Sequence, residues 1–215
     1  MPSLYVRHNS PFLRQGEIVS NLFEFKLQMS EEVKSINDVP ETAEFDPIAH
    51  SYVIVVSQGC DLEWDYRARS EGASDDKLLT HILFCALFPL DEVRSRSGLK
   101  SELWKRVRQN QDERYHHLDE ALLVNTEQFT NEFVAAMHKM SSEDFHKKHE
   151  TAEIVPELIA DFKTTFSLPT EFTYWLVSTG LANRKGALFP PYLEDFMHRL
   201  YSFLGRVATP DFRDK

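Results

Sequence analysis

Cysteine is almost absent from this chain, with two in 215 residues, Cys60 and Cys85. A secreted fold that relied on disulfides would carry more, and both thiols lie in or just after apolar stretches, as buried reduced cysteines do. A reducing compartment is the expectation. Glycine is also scarce, at seven, and neither GxGxxG nor GxxxxGK[ST] occurs. That argues against a glycine-rich phosphate loop. Long hydrophobic runs are missing as well. The longest, Ile82 to Leu90, is far too short to cross a bilayer. The opening MPSLYVRHNSPFLRQGE has no continuous apolar stretch of the kind a secretory signal needs. A cytoplasmic protein without a membrane partner is expected.

Basic charge is in deficit, with 24 Lys and Arg against 34 Asp and Glu and a formal net charge of −10. Phosphate contacts need a basic footprint, so a dedicated nucleic-acid binder is disfavoured. The deficit is uneven. Residues 17–65 hold eleven acids against Lys26 and Lys34, a net of −9. Residues 94–108 hold Arg94, Arg96, Lys100, Lys105, Arg106 and Arg108 against Glu102, a net of +5. The basic segment is either a solvated helix face or a local anion contact.

What is present is core material. Hydrophobic residues make up 42% of the chain and include sixteen Phe, more buriable surface than disordered chains carry. The length suits one domain over 1–215, without repeats or low-complexity tracts. Alternation over Glu17–Leu27 predicts a strand. Residues 28–47, polar and acidic with Pro40 and Pro47, read as a long loop. Ser51–Ser57 is apolar on both faces, as a buried central strand is. Glu63–Lys77 is a polar segment. Leu78–Leu90 reads as a second buried strand, its aromatic content and Pro89 favouring strand over helix. The spacing of Leu99, Leu103, Trp104 and Val107 predicts a helix over 99–110. Arg114–Leu118 reads as a short strand, Asn125–Lys139 as helix or strand, and Ser141–His149 as a short polar helix. Ile154–Leu168 reads as one strand. Helices are expected from Pro169 through Val177 and from Pro191 to Gly205, the latter with a stripe of Leu193, Phe196, Met197, Leu200, Tyr201 and Leu204. Strands first and helices last is an α+β order.

The most distinctive local feature is Ser57-Gln58-Gly59-Cys60-Asp61, which places polar groups at the end of a buried strand. Gly59 is read as the residue that lets the chain turn there. The segment is a binding turn, a nucleophile if Cys60 meets His116 or His117, or a plain turn capped by Gln58 and Asp61. Cys60, Asp61, Cys85, His116 and His117 include metal-ligand types, but no CxxC, HExxH or HxH spacing occurs. No metal and no cofactor are expected. Trp104, Lys105, Arg106, Arg108, Arg114 and Tyr115 interleave aromatic and basic groups. Such a run stacks bases and binds phosphates, or Trp104 anchors its helix to the core. His138, His146, His149 and His198 sit in polar contexts and read as solvated.

Gly16-Glu17-Ile18-Val19, Val53-Ile54-Val55-Val56-Ser57 and Ile82-Leu83-Phe84-Cys85-Ala86-Leu87 together resemble the strands of MazF/PemK-type growth-inhibitor proteins over about residues 14–90. The Ser-Gln-Gly-Cys-Asp segment, Arg114-Tyr115-His116-His117-Leu118, and Pro190-Pro191-Tyr192 with Arg199 and Arg206 resemble a group of uncharacterised bacterial proteins that share that barrel. The resemblance implies an α+β fold: a small, mostly antiparallel β-barrel, SH3-like or PemK-like, over 1–168, with a helical part, 169–215, packed on it. It implies a link to toxin–antitoxin or defence systems and allows a dimer. The family's ribonucleases use an Arg after the second strand, matched by Arg67 or Arg69, and a hydroxyl after the third. Here the third strand ends in Phe88-Pro89-Leu90. The leading expectation is a non-catalytic interaction or regulatory module. It takes a protein partner or small ligand through Ser57, Gln58, Cys60, Asp61, Arg114 and Tyr115. The alternative is a metal-independent endoribonuclease in which Arg67 or Arg69 stabilises phosphorane charge and His116 or His117 acts as acid or base.

Overall fold

The β-branched run at Ser51–Val55 lies inside a longer strand than its apolar pattern marks. In the computed structural model, which describes residues 3–28, 44–72, 75–97, 100–125 and 154–206, strand β3 covers Glu44–Val55. It pairs antiparallel with β2 (Glu17–Gln28) from Ile18↔Ile54 to Gln28↔Glu44. The expected loop at 28–47 therefore gives way to strand at 44–47, with Pro47 held opposite Phe25. Pro47 lies beyond the β4 ladder, which reaches β3 only at 52–55, so its missing N–H breaks no rung on that side. Residues 29–43, and the expectations for 126–139 and 141–149, lie outside the described residues.

The remaining strands are β1 (Ser3–Arg7), β4 (His81–Pro89), β5 (Tyr115–Leu118), β6 (Ala121–Asn125), β7 (Ile154–Val155), β8 (Leu158–Pro169) and β9 (Asn183–Leu188). The single strand expected over 154–168 is broken between β7 and β8 at Pro156-Glu157, since proline has no N–H for a ladder. Five α-helices are described: α1 (Gly59–Glu71), α2 (Leu90–Ser97), α3 (Ser101–Arg108), α4 (Thr170–Ser178) and α5 (Tyr192–Leu204). The order of strands first and helices last does not hold. Helix α1 interrupts the strands, and β9 enters the sheet after α4.

The nine strands form one sheet in the order β5-β8-β4-β3-β2-β9-β1-β6-β7, antiparallel except for the parallel pair β1–β6. The fold is α+β. Among the described residues no ladder joins β5 to β7, so the sheet is not closed into a barrel. It is strongly curled nonetheless. Two residues, Asp119-Glu120, carry the chain from β5 to β6, and two more, Pro156-Glu157, carry it from β7 to β8. Each link crosses seven strand positions. In a flat sheet that is about 34 Å at ~4.8 Å per strand. Three Cα–Cα steps reach at most ~11 Å. The sheet must bend until its two edges meet at a seam.

All nine strands feed one core inside the curl, including Tyr5, Ile18, Ile54, Leu87, Leu118 and Phe162, and α5 adds Phe196, Met197 and Leu200. The far ends of the expected α5 stripe differ: Tyr201 and Leu204 are exposed. The opposite face carries Val19, Val53, Val55, Ile82 and Phe84 and is covered by Leu62 of α1 and Leu176 of α4. Helices α2 and α3 cover a third cluster with Val93, Val107, Tyr115 and Ile159. Residues 169–215, expected as a helical part, thus also hold β9, which sits between β1 and β2.

Candidate functional site

Two segments singled out in the sequence, through Gly59 and Pro190, meet the β1–β2 loop at one cleft of about 360 Å³. Its walls come from the β1–β2 loop (His8, Phe12, Arg14, Gln15), the start of α1 (Gly59, Glu63) and the passage from β9 into α5 (Leu188, Phe189, Pro190, Leu193). Gly16, Ser57–Asp61 and Pro190-Pro191-Tyr192 are the motif stretches behind these walls.

Backbone bonds to Gly16 hold two of the walls together. Its N–H donates to Val55 O at 2.8 Å, and its C=O accepts from Leu188 N–H at 2.9 Å. Its φ of +77° is a left-handed value that glycine takes without strain. A Cβ here would also fall 2.5 Å from Leu193 Cδ1. The β1–β2 loop is fixed by Arg184 of β9, whose Nη2 donates to Phe12 O at 3.0 Å and whose Nη1 donates to Ser10 O at 2.5 Å. The same guanidinium pairs with Glu17, which is 2% exposed. Glu17 in turn accepts the Arg14 N–H at 2.9 Å. Gln15 Nε2 donates to Val56 O at 3.1 Å.

Helix α1 begins at this cleft. Gln58 is its N-cap and offers no side-chain bond to the first turn, so the first N–H groups of a 13-residue helix are uncapped by it. Burial, then the cations Arg14 and Arg184, push the His8 imidazole below its usual range. The Arg14 guanidinium lies 5.6 Å from the centre of the Phe12 ring. The cleft therefore offers helix-end dipole, one arginine and an aromatic wall, with Glu63 as its acid. An anionic group joined to an apolar body suits that combination.

The segment Ser57–Asp61 is not the turn expected. Gly59, Cys60 and Asp61 form the first turn of α1, and Gly59 does not take a left-handed φ. Ser57 is structural: its Oγ accepts the Leu83 N–H at 2.9 Å. Cys60 is exposed, and its thiol lies 3.6 Å from Asp61 Oδ1 and 3.8 Å from Gln58 Oε1. Cys85 is buried in the inner core and donates toward Asp161 O at 3.5 Å.

Arg67 is exposed and pairs with Glu63 one turn earlier. Arg69 is engaged three ways: with Asp65, with Glu171 at 3.0 Å, and with Leu79 O at 2.9 Å. Asp65 is 0% exposed and also accepts the Leu79 N–H at 2.8 Å, so this pair ties α1 to the entry of β4.

The histidines lie elsewhere. Arg67 and Arg69 ride on a helix that covers the outer face of the sheet. His116 points into the inner core, edge-on to Phe196 at 5.2 Å and 6.3 Å from Phe162. Burial, then Arg199 and His117, push it down to about 3, and its Nδ1 has no partner among the described residues. It is a neutral core histidine. His117 lies at the seam, its Nε2 2.6 Å from Glu157 Oε1. Arg114 is committed to Asp161 through Nε at 2.7 Å and Nη2 at 2.5 Å, and lies 4.7 Å from the centre of the Tyr115 ring. Trp104 packs against the α2–α3 cluster. The expected catalytic set, Arg67 or Arg69 with His116 or His117, is not brought together. The binding set splits as well, since Arg114 and Tyr115 lie on β5, away from α1. The five metal-ligand types are likewise dispersed.

No family model, curated protein or solved structure matches the chain. The site rests on geometry alone.

Sequence reasoning missed His8, Phe12, Arg14 and Arg184. Ser10-Pro11 and Gly16 mark a loop there, but the partner that fixes it, Arg184, is 167 residues from Glu17.

Proposed function

We propose that the protein is a non-catalytic interaction or regulatory module, and that it grips a partner or small ligand by an anionic group at the cleft where α1 begins. One observation carries the reading: the cleft brings Gly59 and Pro190 of two motif segments together with Arg14, His8 and an N-terminal helix turn that the Gln58 side chain leaves uncapped. The bound group is a carboxylate or phosphate next to an apolar moiety, which Phe12, Phe189 and Leu193 receive. The finer architecture we propose is an SH3-like barrel of the MazF/PemK type, with its seam left unpaired. No helix is long and apolar enough to cross a membrane among the described residues.

The alternative, a metal-independent endoribonuclease, needs an arginine and a histidine at one phosphate. Incubation of purified protein, in large excess, with total RNA in chelator separates the two. Intact RNA is the expected result. Rapid cleavage that disappears in Arg67→Ala or His117→Ala would replace the binding module with the enzyme.

A further inference from the structure

We propose that His117, Asp119 and Glu157 form a binding site for a divalent transition metal of the zinc class at the seam of the curled sheet. One donor atom from each lies within 4.8 Å of the other two. His117 Nε2 is 2.6 Å from Glu157 Oε1, and its Nδ1 is 3.6 Å from Asp119 Oδ1, so the ion takes one ring nitrogen and the carboxylate facing the other rotates to join it. One imidazole and two carboxylates are a nitrogen–oxygen donor set suited to zinc, with a fourth position left for water.

The placement of the three is specific. Asp119 belongs to the two-residue link from β5 to β6, and Glu157 to the two-residue link from β7 to β8. These are the two links that cross between the sheet's edges, where no ladder joins β5 to β7 among the described residues. An ion here would bridge the edges that hydrogen bonds leave open.

The imidazole is held for the task. Its ring is 3% exposed. Its backbone is fixed on both sides by one side chain: His117 N–H donates to Asn110 Oδ1 at 2.6 Å, and Asn110 Nδ2 donates to His117 O at 2.9 Å. A ligand locked by its surroundings loses little freedom on binding. The carboxylates are less enclosed, with Asp119 63% and Glu157 28% exposed. They can close to the ~2.0–2.2 Å that zinc–oxygen bonds require.

One group competes. Arg108 Nη2 is 3.1 Å from Glu157 Oε1. It is exposed enough to swing away, and it supplies the positive charge that an ion would replace. Metal binding also requires the ring nitrogen that bonds the ion to be free of its proton.

The test is titration of chelator-stripped full-length protein with Zn²⁺, read by competition with a chromophoric chelator, together with circular dichroism of every variant. One ion per chain is expected. Asp119→Asn, at an exposed position, should weaken binding by at least about tenfold with the fold intact. Arg108→Gln should tighten it. Absence of stoichiometric binding by the native chain, equal binding by folded Asp119→Asn, or weaker binding by folded Arg108→Gln would each overturn the site. The last outcome would identify the cluster as a closed ion-pair network that uses Arg108 as its only cation.

Discussion

Arg184 and Glu17 meet through two bonds, Nε to Oε1 at 2.6 Å and Nη2 to Oε2 at 3.0 Å, across the central β2–β9 pair of the sheet. Glu17 is buried, and two of the remaining guanidinium hydrogens hold the Ser10 and Phe12 carbonyls of the β1–β2 loop. The pair is therefore what positions one wall of the cleft.

Breaking it should be costly. Arg184→Met leaves the Glu17 carboxylate buried without its countercharge, a change of about 3–5 kcal/mol. Urea denaturation measures it. A loss under about 1 kcal/mol would mean that the loop is held by other means.

His116 makes stability depend on pH in a definite direction. Its folded-state value, about 3, lies below the unfolded value of about 6.5. The unfolded chain thus binds more protons between those limits, and folding stability falls as pH drops through that window. The slope from this one group is at most about 1.4 kcal/mol per pH unit. His116→Leu, which keeps the packing against Phe162 and Phe196, should flatten the acid limb of a stability–pH profile. An unchanged slope would show that other groups carry it.

Some of this was legible in the sequence and some was not. Ser51–Val55 and His81–Pro89 announce themselves as buried strands by apolar content alone, and 99–110 by its helical spacing. Helix α1 does not. Its buried positions are Leu62, Asp65 and Ala68, so the middle of its inner face is a carboxylate. Patterning reads Asp65 as surface, whereas Arg69 and Leu79 make it structural. Strand β9, Asn-Arg-Lys-Gly-Ala-Leu, looks like a turn because its pairing lies with β1 and β2, far away in sequence. Gly186 suits that position: a Cβ there would fall 2.3 Å from Leu123 Cδ2. The cleft was half legible, since its motif segments stood out while their convergence depends on β9.

The two thiols should separate cleanly. Cys60 is exposed, whereas Cys85 is buried and burial, then Asp161, holds its thiol protonated. A thiol reagent should modify one equivalent in the native protein and two after denaturation. Two fast equivalents in the native state would contradict the inner core as described.

Helix α5 should be indispensable to folding. Phe196 and Leu200 are fully buried in the inner core. Leu200→Ala is expected to cost about 2–5 kcal/mol. A chain ending at Leu188 keeps β9 but loses α5, and should be insoluble or molten. A soluble, cooperatively folded product would make α5 a detachable arm.

The cleft itself is tested most directly by quantitative affinity capture with native protein and with Arg14→Glu, an exposed change that reverses charge at the cleft. A specific protein or small ligand is expected that the native chain retains and folded Arg14→Glu loses, and that rebinds purified native protein at one site. Capture by both proteins alike, or by neither while the native protein turns over RNA, would contradict it.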